Sequence, residues 1–306
     1  MCSKGVLAAV GNTPLIRLER LEPAGGAEVW LKLEAGNPTG SYKDRMAVSV
    51  LGRAMERGEL APGNRVVEYT GGSTGTALAF VSAALGVTFT AVFSDAFSAS
   101  KRLAMEAFGA EVLVEESDGT ITPELIQRMK ARAYALAEEP GSFYADQFGS
   151  ADVRAGYEPM GHEIAADLGQ VDVLVAAVGT GAALMGTADG LAARGIDPRL
   201  IALEPAQSPL LTTGKGGPHR VEGIGVGFAP PFLDRGRLAE VRAIDQDRAF
   251  EMCRTLARQA GVFCGGSTGL NVVAAIELSR ELGRGRKVVT LGCDSGAKYL
   301  GGHIYG

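Results

Sequence analysis

The pattern of hydrophobic and polar positions alternates between short apolar runs and longer segments with helical spacing. Runs of four to eight residues rich in apolar and β-branched side chains predict strands at residues 28–33, 65–69, 88–93, 111–114, 171–178, 200–203 and 287–291. Between them, apolar residues recur at intervals of three and four, which predicts helices; the clearest are residues 44–57, 74–85, 100–108, 123–137, 184–194, 248–259 and 268–282.

Strands that alternate with helices predict an α/β fold with mostly parallel sheets. The run 171–178 is almost entirely apolar, as expected for a strand covered by helices on both faces of its sheet. The longest irregular stretch is residues 214–231, which is rich in glycine and proline and has little periodicity. Long loops of this kind often carry function.

Composition indicates a globular chain with a large core. Of the 306 residues, 46% are hydrophobic and 21% are charged, and this length suggests two domains or one large fold. Glycine is the outlier, because 43 of 306 residues is twice the usual ~7%. Many turns therefore need either positive φ angles or a close approach of the backbone to a ligand.

The charge balance excludes polyanionic partners. Lys plus Arg number 30 against 35 Asp plus Glu, a net charge of −5, so no basic field attracts nucleic acid or an anionic membrane. The cysteines Cys2, Cys253, Cys264 and Cys293 form no CxxC pair, which favours free thiols in a reducing compartment. With no apolar run typical of a signal peptide or a membrane span, the sequence predicts a cytoplasmic protein.

Three glycine-rich turns, at residues 70–75, 178–186 and 265–269, each lead into a predicted helix. The N-terminus of a helix presents unpaired N–H groups and the positive end of the dipole, so it can bind an anion. Any one turn taken alone is more simply a strand-to-helix connection. The turns do not match the dinucleotide or ATP signatures, because Ala-Ala-Leu follows Gly179-Thr-Gly181 and no GxxxxGK[ST] is present.

The sequence GGSTG occurs twice and also matches the G-x-S-x-G turn of serine hydrolases. A triad of Ser73, Asp294 and His303 keeps serine hydrolysis as a remote alternative. No metal site is predicted, because the three histidines are isolated and His162 has no second histidine at HExxH spacing. We interpret the histidines as surface or loop-packing residues.

Lys43 lies where a Pro-Gly loop, residues 37–42, enters a predicted helix. The positive end of the helix dipole disfavours a charged lysine there, and a neutral amine is what a Schiff-base lysine requires. The alternative is an ordinary lysine paired with Asp44 or Glu34.

A series of motifs in the order of the chain resembles one family, the fold-type II pyridoxal-phosphate enzymes of the cysteine synthase (O-acetylserine sulfhydrylase) and cystathionine β-synthase group. The loop TGGSTG is similar to that family's TSGNTG loop, and GTGAA is similar to its GTGGT phosphate turn. The resemblance covers essentially the whole chain and is carried by residues 11–18, 32–34, 37–45, 70–75, 146–148, 179–183, 204–210, 222–228, 261–269 and 294–300.

The resemblance implies a two-domain, tryptophan synthase β-like fold with helices on both faces of its sheets. Residues 35–148 would form a smaller domain with the substrate-carboxylate loop, and residues 1–34 and 149–306 a larger domain that binds pyridoxal 5'-phosphate in the cleft between the two. Lys43 would hold the cofactor as a Schiff base and then act as the catalytic base, and Ser267 would hydrogen-bond the pyridine nitrogen. The implied cofactor-binding residues are Lys43, Ser73, Gly179, Thr180, Gly181, Ala182, Ala183, Gly225, Ser267 and Asp294. The implied substrate-binding residues are Thr70, Gly71, Gly72, Ser73, Thr74 and Gln147.

By the same resemblance, the expected reaction is β-replacement on O-acetyl-L-serine or a related activated serine. Sulfide or another nucleophile would add to an aminoacrylate and form L-cysteine or an analogue. The alternatives are β-elimination, as in a serine/threonine dehydratase or cysteine desulfhydrase, and a catalytically weak member that binds a partner. The family also implies a homodimer, with serine acetyltransferase as a candidate partner.

Three positions depart from the family pattern. Ser73 replaces an asparagine, Gly71 replaces a serine, and Ala183 replaces a threonine, and each lost hydrogen bond costs about 1 kcal/mol if nothing compensates. We therefore expect a different donor, or a bulkier nucleophile that reaches into the space at Gly71.

Overall fold

The computed structural model describes residues 5–119 and 121–306, and the chain divides into two units of α/β structure. The first unit comprises Met1–Val10 and Lys43–Gly156, and the second comprises Gly11–Tyr42 and Tyr157–Gly306. Strands and helices are numbered along the chain.

The first unit contains a four-stranded parallel sheet. Its strands are β3 (Arg65–Tyr69), β4 (Thr88–Ser94), β5 (Glu111–Glu115) and β6 (Ser142–Tyr144), in the spatial order β5-β4-β3-β6. Its helices are α1 (Lys43–Glu56), α2 (Ser73–Leu85), α3 (Ala99–Ala107), α4 (Pro123–Ala137) and α5 (Ala151–Ala155), with a 3-10 turn at Val6–Ala9.

The amphipathic helix α4 packs on β3 and β4 of this sheet. Leu125, Met129 and Ala133 are buried at four-residue intervals, so they lie on one face of the helix. They contact Val67 and Val92 of the two strands within one core cluster. The helix begins where the Thr122 hydroxyl accepts a 3.2 Å hydrogen bond from the Leu125 N–H, a typical N-cap.

The second unit contains a six-stranded sheet in the order β1-β2-β10-β7-β8-β9. All neighbouring pairs are parallel except β1 and β2. The strands are β1 (Leu15–Arg17), β2 (Glu28–Leu33), β7 (Val173–Ala177), β8 (Arg199–Pro205), β9 (Leu238–Ile244) and β10 (Lys287–Gly292). The helices are α6 (Glu158–Leu168), α7 (Ala182–Ala192), α8 (Leu210–Thr213), α9 (Gln246–Thr255) and α10 (Gly266–Leu282). A π-helical turn at Leu256–Ala260 follows α9, and short 3-10 turns lie at Glu19–Leu21, Glu34–Gly36, Arg235–Arg237 and Gly296–Tyr299.

The central strand β7 is covered on both faces, because all five of its residues are buried and successive side chains point to opposite faces. Val173 and Val175 join the core cluster that includes Leu270 and Ala274 of α10. Helix α10 packs along β2, β7, β8, β9 and β10, and α7 contacts β7 and β8. This confirms the interpretation of the apolar run 171–178.

The α/β fold with mostly parallel sheets is confirmed, and each predicted strand and helix overlaps an element of the structure. The prediction missed the strands β1, β6 and β9 and the helices α5, α6 and α8. The segment 214–231 is irregular, as predicted. Cys253, Cys264 and Cys293 are free and buried, whereas Cys2 lies outside the described residues. In the described part of the chain, no helix has the length and hydropathy needed to cross a membrane.

Candidate cofactor and substrate site

In the first unit, predicted substrate residues meet at the carboxyl edge of the sheet. Strands β3 and β6 are parallel neighbours, so the segments that follow them emerge at the same edge. The Thr74 hydroxyl donates to Gln147 Oε1 at 2.8 Å, and Gln147 Nε2 donates to the Tyr69 carbonyl at 2.9 Å. Thr74 and Gln147 are both buried. The structure therefore brings together two residues that are 73 positions apart in the chain.

The loop 70–75 wraps around the hydroxyl of Thr70. This oxygen accepts the N–H groups of Gly72 at 3.0 Å and Gly75 at 3.1 Å. Gly72 has a φ angle of +146°, a conformation that favours glycine. Helix α2 begins at Ser73 without a side-chain cap on Gly72, so the positive end of its dipole lies at the predicted carboxylate loop.

The outer side of this loop is covered by residues around α3. A Cβ atom on Gly71 would lie 2.8 Å from Cε1 of Phe97, and a Cβ on Gly72 would collide with the Lys101 side chain. Similarly, a Cβ on Gly75 would collide with Met105. The expectation of space at Gly71 is therefore wrong, because the Phe97 ring fills it. Because these glycines have no Cβ atom, the side chains of Phe97, Lys101 and Met105 can pack closely against the loop.

A buried carboxyl group lies behind the same loop. Glu68 of β3 is inaccessible to solvent and accepts the backbone N–H of Gln147 at 2.9 Å and of Tyr69 at 3.0 Å. Burial, and secondarily the charge of Asp146, raises the pKa of Glu68 to about 8, although these hydrogen bonds oppose the shift. Glu68 was not among the predicted site residues, but a glutamate on a buried apolar strand is a signal that could have found it.

Lys43 is the first residue of α1 in the first unit. Asp44, Arg45 and Met46 follow it and are buried, and α1 packs against α2 and α5. The lysine therefore lies at a helix N-terminus, as the sequence predicts, on a helix whose position is fixed by packing.

In the second unit, the turn 179–183 connects β7 to α7. Gly181 has a φ angle of +85°, and the Thr180 hydroxyl accepts the N–H of Ala182 at 3.3 Å. A Cβ on Gly179 would lie 2.5 Å from the Gly223 carbonyl oxygen, and a Cβ on Gly181 would lie 2.8 Å from the Leu233 nitrogen. This narrow backbone turn at a helix N-terminus has the features of a phosphate site, so it fits the phosphate of pyridoxal phosphate.

Gly225 lies beside Val178, the residue that joins β7 to that turn. Its N–H donates to the Val178 carbonyl at 3.3 Å, and its carbonyl lies 3.0 Å from His219 Nε2. The φ angle of Gly225 is +60°, and a Cβ there would lie 2.5 Å from His219 Nε2. His219 therefore packs within the loop, as interpreted from the sequence, and it supports the predicted cofactor residue Gly225.

Ser267 lies at the N-terminus of α10 and is buried. Two side chains tie this end of the helix to the sheet: the Thr268 hydroxyl accepts the Cys293 N–H at 2.9 Å, and Asn271 accepts the Ala177 N–H at 2.7 Å. Asn271 also donates to the Leu291 carbonyl at 2.8 Å. Because Ala177 ends β7, these bonds hold Ser267 at the carboxyl edge of the sheet, where the turn 179–183 also begins.

Asp294 follows β10 at this edge. The Tyr299 hydroxyl donates to Asp294 Oδ2 at 2.7 Å, and the Asp294 backbone carbonyl accepts the Gly265 N–H at 3.4 Å. Burial and the charge of Asp294 raise the pKa of Tyr299 well above its ordinary value. Tyr299 thus remains a neutral hydrogen-bond donor that fixes the predicted cofactor residue Asp294.

The opening motif of the chain forms a buried polar network in the second unit. Thr13 donates to Glu34 at 2.6 Å, and Asn37 donates to the other Glu34 oxygen at 2.8 Å. Lys32, which is fully buried, pairs with Glu163 at 2.7 Å and donates to the Thr13 carbonyl at 2.7 Å. These motifs therefore hold one another in place.

No group of side chains suited to a metal ion occurs among the described residues. The ring of His303 packs edge-on against Phe250, with ring centroids 4.6 Å apart. Burial lowers the pKa of His303.

Comparison with known proteins identifies the family. The family model described as "Pyridoxal-phosphate dependent enzyme" matches residues 6–294. The chain belongs to this family. It is 34% identical over 304 residues to a cysteine synthase of Staphylococcus aureus, an alignment that covers 97% of this chain and 95% of the relative. It is 36% identical over 297 residues to a probable cysteine synthase of Bacillus subtilis, covering 95% of this chain and 94% of the relative.

A solved structure extends the similarity to the whole fold. The crystal structure of O-ureido-L-serine synthase matches with a TM-score of 0.92 and 33% identity, covering 100% of this chain and 96% of that one. The predicted family, the fold class and the cofactor are thereby confirmed. The chain is an enzyme that uses pyridoxal phosphate, so the serine hydrolase alternative is wrong.

Proposed function

We propose that this enzyme catalyses β-replacement on O-acetyl-L-serine or a related activated serine. Sulfide or another small nucleophile replaces the β-substituent, and the product is L-cysteine or an analogue. The main support is the position of Ser267, whose neutral hydroxyl is buried at the N-terminus of α10. By the family resemblance, this hydroxyl is the partner of the pyridine nitrogen. The relatives named cysteine synthase support the same reaction.

The neutral hydroxyl of Ser267 matters because the partner of the pyridine nitrogen controls how far negative charge from the substrate α-carbon spreads into the cofactor ring. Pyridoxal phosphate, when bound, withdraws electrons from the α-carbon of an amino acid. A serine hydroxyl cannot stabilise a protonated pyridine as a carboxylate would. Charge that builds up at the α-carbon is therefore best relieved by expelling the β-substituent, which is the first half of a β-replacement.

The residues of the chain divide the remaining work. In this proposal, the turn from Gly179 to Ala183 holds the phosphate through backbone N–H groups, and Gly225, Asp294, Ser73 and Ser267 contact the rest of the cofactor. Lys43 binds the cofactor and then removes the α-proton of the substrate. Thr70, Gly71, Gly72, Ser73, Thr74 and Gln147 hold the substrate carboxylate.

The nucleophile is the least constrained part of the proposal. The neighbour O-ureido-L-serine synthase is named for an O-substituted serine and not for cysteine, so this fold accommodates more than one product. The covering of Gly71 by Phe97 makes the substrate loop of this chain narrower and more apolar than an open glycine would. We therefore place the specialisation of this enzyme at the pair Gly71 and Phe97.

The resemblance supplies further parts of the proposal. We propose a cytoplasmic homodimer, with serine acetyltransferase as a candidate partner. We also propose that residues 35–148 act as the smaller, substrate-carboxylate domain and that residues 1–34 and 149–306 act as the cofactor domain.

The proposal is tested by product analysis of the holoenzyme with O-acetyl-L-serine, with and without sulfide. Formation of L-cysteine only with sulfide supports β-replacement, whereas pyruvate formed without sulfide identifies β-elimination. Lys43→Ala should lower the rate by about 10²–10⁴-fold, the usual contribution of a positioned general base. Lys130→Ala is the control, since Lys130 lies over the Tyr134 ring on α4 and should leave the rate unchanged.

A further inference from the structure

Glu68 connects the sheet of the first unit to the substrate loop through a chain of hydrogen bonds. Its Oε2 accepts the Gln147 N–H at 2.9 Å, and the Gln147 side chain accepts the Thr74 hydroxyl at 2.8 Å. The second carboxyl oxygen accepts the Tyr69 N–H at 3.0 Å, and the Tyr69 carbonyl in turn accepts Gln147 Nε2 at 2.9 Å. Residues of β3 therefore fix both the backbone and the side chain of Gln147 by hydrogen bonds.

The backbone before Gln147 needs such a constraint. Asp146 has a φ angle of +50°, a left-handed conformation that is uncommon for residues other than glycine and costs free energy. The Asp146 carbonyl accepts the N–H groups of Gly149 at 3.1 Å and Ser150 at 3.0 Å, which closes a tight turn. The bond from Gln147 N–H to Glu68 holds the other side of this turn.

The charge state of Glu68 suits a position behind an anion site. Its pKa is about 8 because of burial and the nearby Asp146 carboxylate, while hydrogen bonds from Gln147, Tyr69 and Tyr144 oppose the increase. The other titratable neighbours are tyrosines: Tyr69 on β3, Tyr144 on β6, and Tyr134 of α4, whose ring packs on Tyr144. Near neutral pH, Glu68 is therefore mostly an uncharged acid and does not repel an anion bound at the loop.

We propose that Glu68 is a positioning residue that fixes Gln147 and Thr74 in the orientation that binds the substrate carboxylate. The proposal rests on the proposed function only in taking the loop 70–75 as the carboxylate site. Glu68 does not touch substrate in this scheme; it acts through Gln147. A purely structural role would stabilise the unit without distinguishing ligands that carry a carboxylate from ligands that lack one.

The test compares two ligands of the holoenzyme, L-serine and ethanolamine, which differ by the carboxylate. Binding is followed through the visible absorbance band of the cofactor, and hydrogen–deuterium exchange of residues 146–149 is measured without ligand. In Glu68→Gln, the carboxamide presents an N–H₂ group to one of the two N–H donors. We expect at least tenfold weaker binding of L-serine, unchanged binding of ethanolamine and faster exchange at Gln147. Glu22→Gln is the matched control, because Glu22 also accepts a backbone N–H, that of Val29 at 2.9 Å, but lies in the second unit.

An equal loss of affinity for both ligands, or no loss for either, would overturn the proposal. Neither ligand requires O-acetyl-L-serine to be the donor, so a wild type that binds L-serine but forms no cysteine would refute the proposed reaction and leave this inference standing.

As a second variant that retains the carboxyl group, Tyr144→Phe removes a hydrogen bond that lowers the pKa of Glu68. The preference for L-serine over ethanolamine should fall as pH rises through about 8 in the wild type, and at higher pH in this variant. A preference with the same pH dependence in both proteins would also contradict the proposal.

Discussion

The Thr74 hydroxyl donates a 2.8 Å hydrogen bond to Oε1 of Gln147. This bond joins the first turn of α2 to the segment after β6, and both partners are buried. The two residues meet because β3 and β6 are parallel neighbours whose carboxyl ends share one edge of the sheet. The hydrogen bond fixes the orientation of both side chains. A substitution of either Thr74 or Gln147 should therefore disturb the other residue and weaken substrate binding.

Replacement of Thr74 by valine tests this pair. The variant keeps the shape of the side chain but leaves the amide oxygen of Gln147 without its hydroxyl donor. The desolvation penalty of ~1–3 kcal/mol should raise the KM for the amino-acid donor roughly 5- to 150-fold. Steady-state kinetics measure this effect. Thr90→Val removes a comparable hydroxyl bond to Glu111 at 3.0 Å and should leave KM unchanged; a similar increase in that variant would count against the pairing.

The contact between Gly71 and Phe97 predicts a non-additive pair of substitutions. Gly71→Ser alone should destabilise the enzyme and weaken donor binding, because its Cβ would lie 2.8 Å from Phe97 Cε1. Gly71→Ser combined with Phe97→Ala should recover stability relative to the single serine variant, with a coupling of about 0.5–3 kcal/mol. Thermal unfolding and donor kinetics of the four proteins provide the cycle, and simple additivity would show that the ring does not restrict position 71.

Restoring the family's TSGNTG sequence in the loop 70–75 should therefore require changes at Gly71, Ser73 and Phe97. Adding Ser73→Asn to the double variant restores the amide donor, and we expect a change in the ranking of activated serine donors only when Phe97 is also replaced. Measurement of kcat/KM for several donors decides the point, and an identical ranking for every variant would place specificity elsewhere.

Substitution of Gly225 should weaken cofactor binding. In Gly225→Ala, the new Cβ would lie 2.5 Å from His219 Nε2 at a φ angle of +60°, so either the loop or the histidine must move. Gly223→Ala has a similar backbone requirement, with φ +83°, but no atom within 4 Å of the added Cβ. We expect a tenfold or greater loss of pyridoxal-phosphate affinity in Gly225→Ala and a smaller loss in Gly223→Ala. Titration of the apoenzyme with cofactor distinguishes them, and equal losses would mean that only φ matters.

The raised pKa of Glu68 predicts a pH dependence of stability. The folded state binds a proton more tightly than the unfolded chain, whose glutamate titrates near 4.5. This stabilisation is complete below the unfolded pKa and is lost as pH rises through about 8, with a slope that approaches ~1.4 kcal/mol per pH unit in between. Denaturant unfolding between pH 4 and 9 should show this slope in the difference between wild type and Glu68→Gln. A constant difference would exclude the titration.

Much of the fold follows from local pattern. The seven predicted helices overlap α1–α4, α7, α9 and α10 because apolar spacing at threes and fours persists over each of them. The missed strands have weaker signals: β1 and β6 contain three residues each, and β9 is a partly exposed edge strand. Their positions are determined by pairing with neighbouring strands, which a local pattern does not contain.

The candidate site was predictable where chemistry is carried by a motif and unpredictable where it depends on packing. The sequence points to Thr74 and Gln147 separately, and their contact needs only the parallel pairing of β3 and β6. Phe97 and Lys101 were not foreseen, because their role depends on how closely α3 approaches the loop glycines. The signal that could have suggested this contact is the set of loop glycines 71, 72 and 75 together with Phe97, Lys101 and Met105, which recur every four residues in the turn before α3 and in α3 itself.

β-Replacement by this enzyme is tested most directly by the absorbance spectrum of the purified holoenzyme, titrated first with O-acetyl-L-serine and then with sulfide. We expect a visible cofactor band that changes on addition of the donor and returns to its original form on addition of sulfide, with L-cysteine released in proportion. A cofactor band that does not respond to O-acetyl-L-serine, or that returns only with release of pyruvate, would contradict β-replacement.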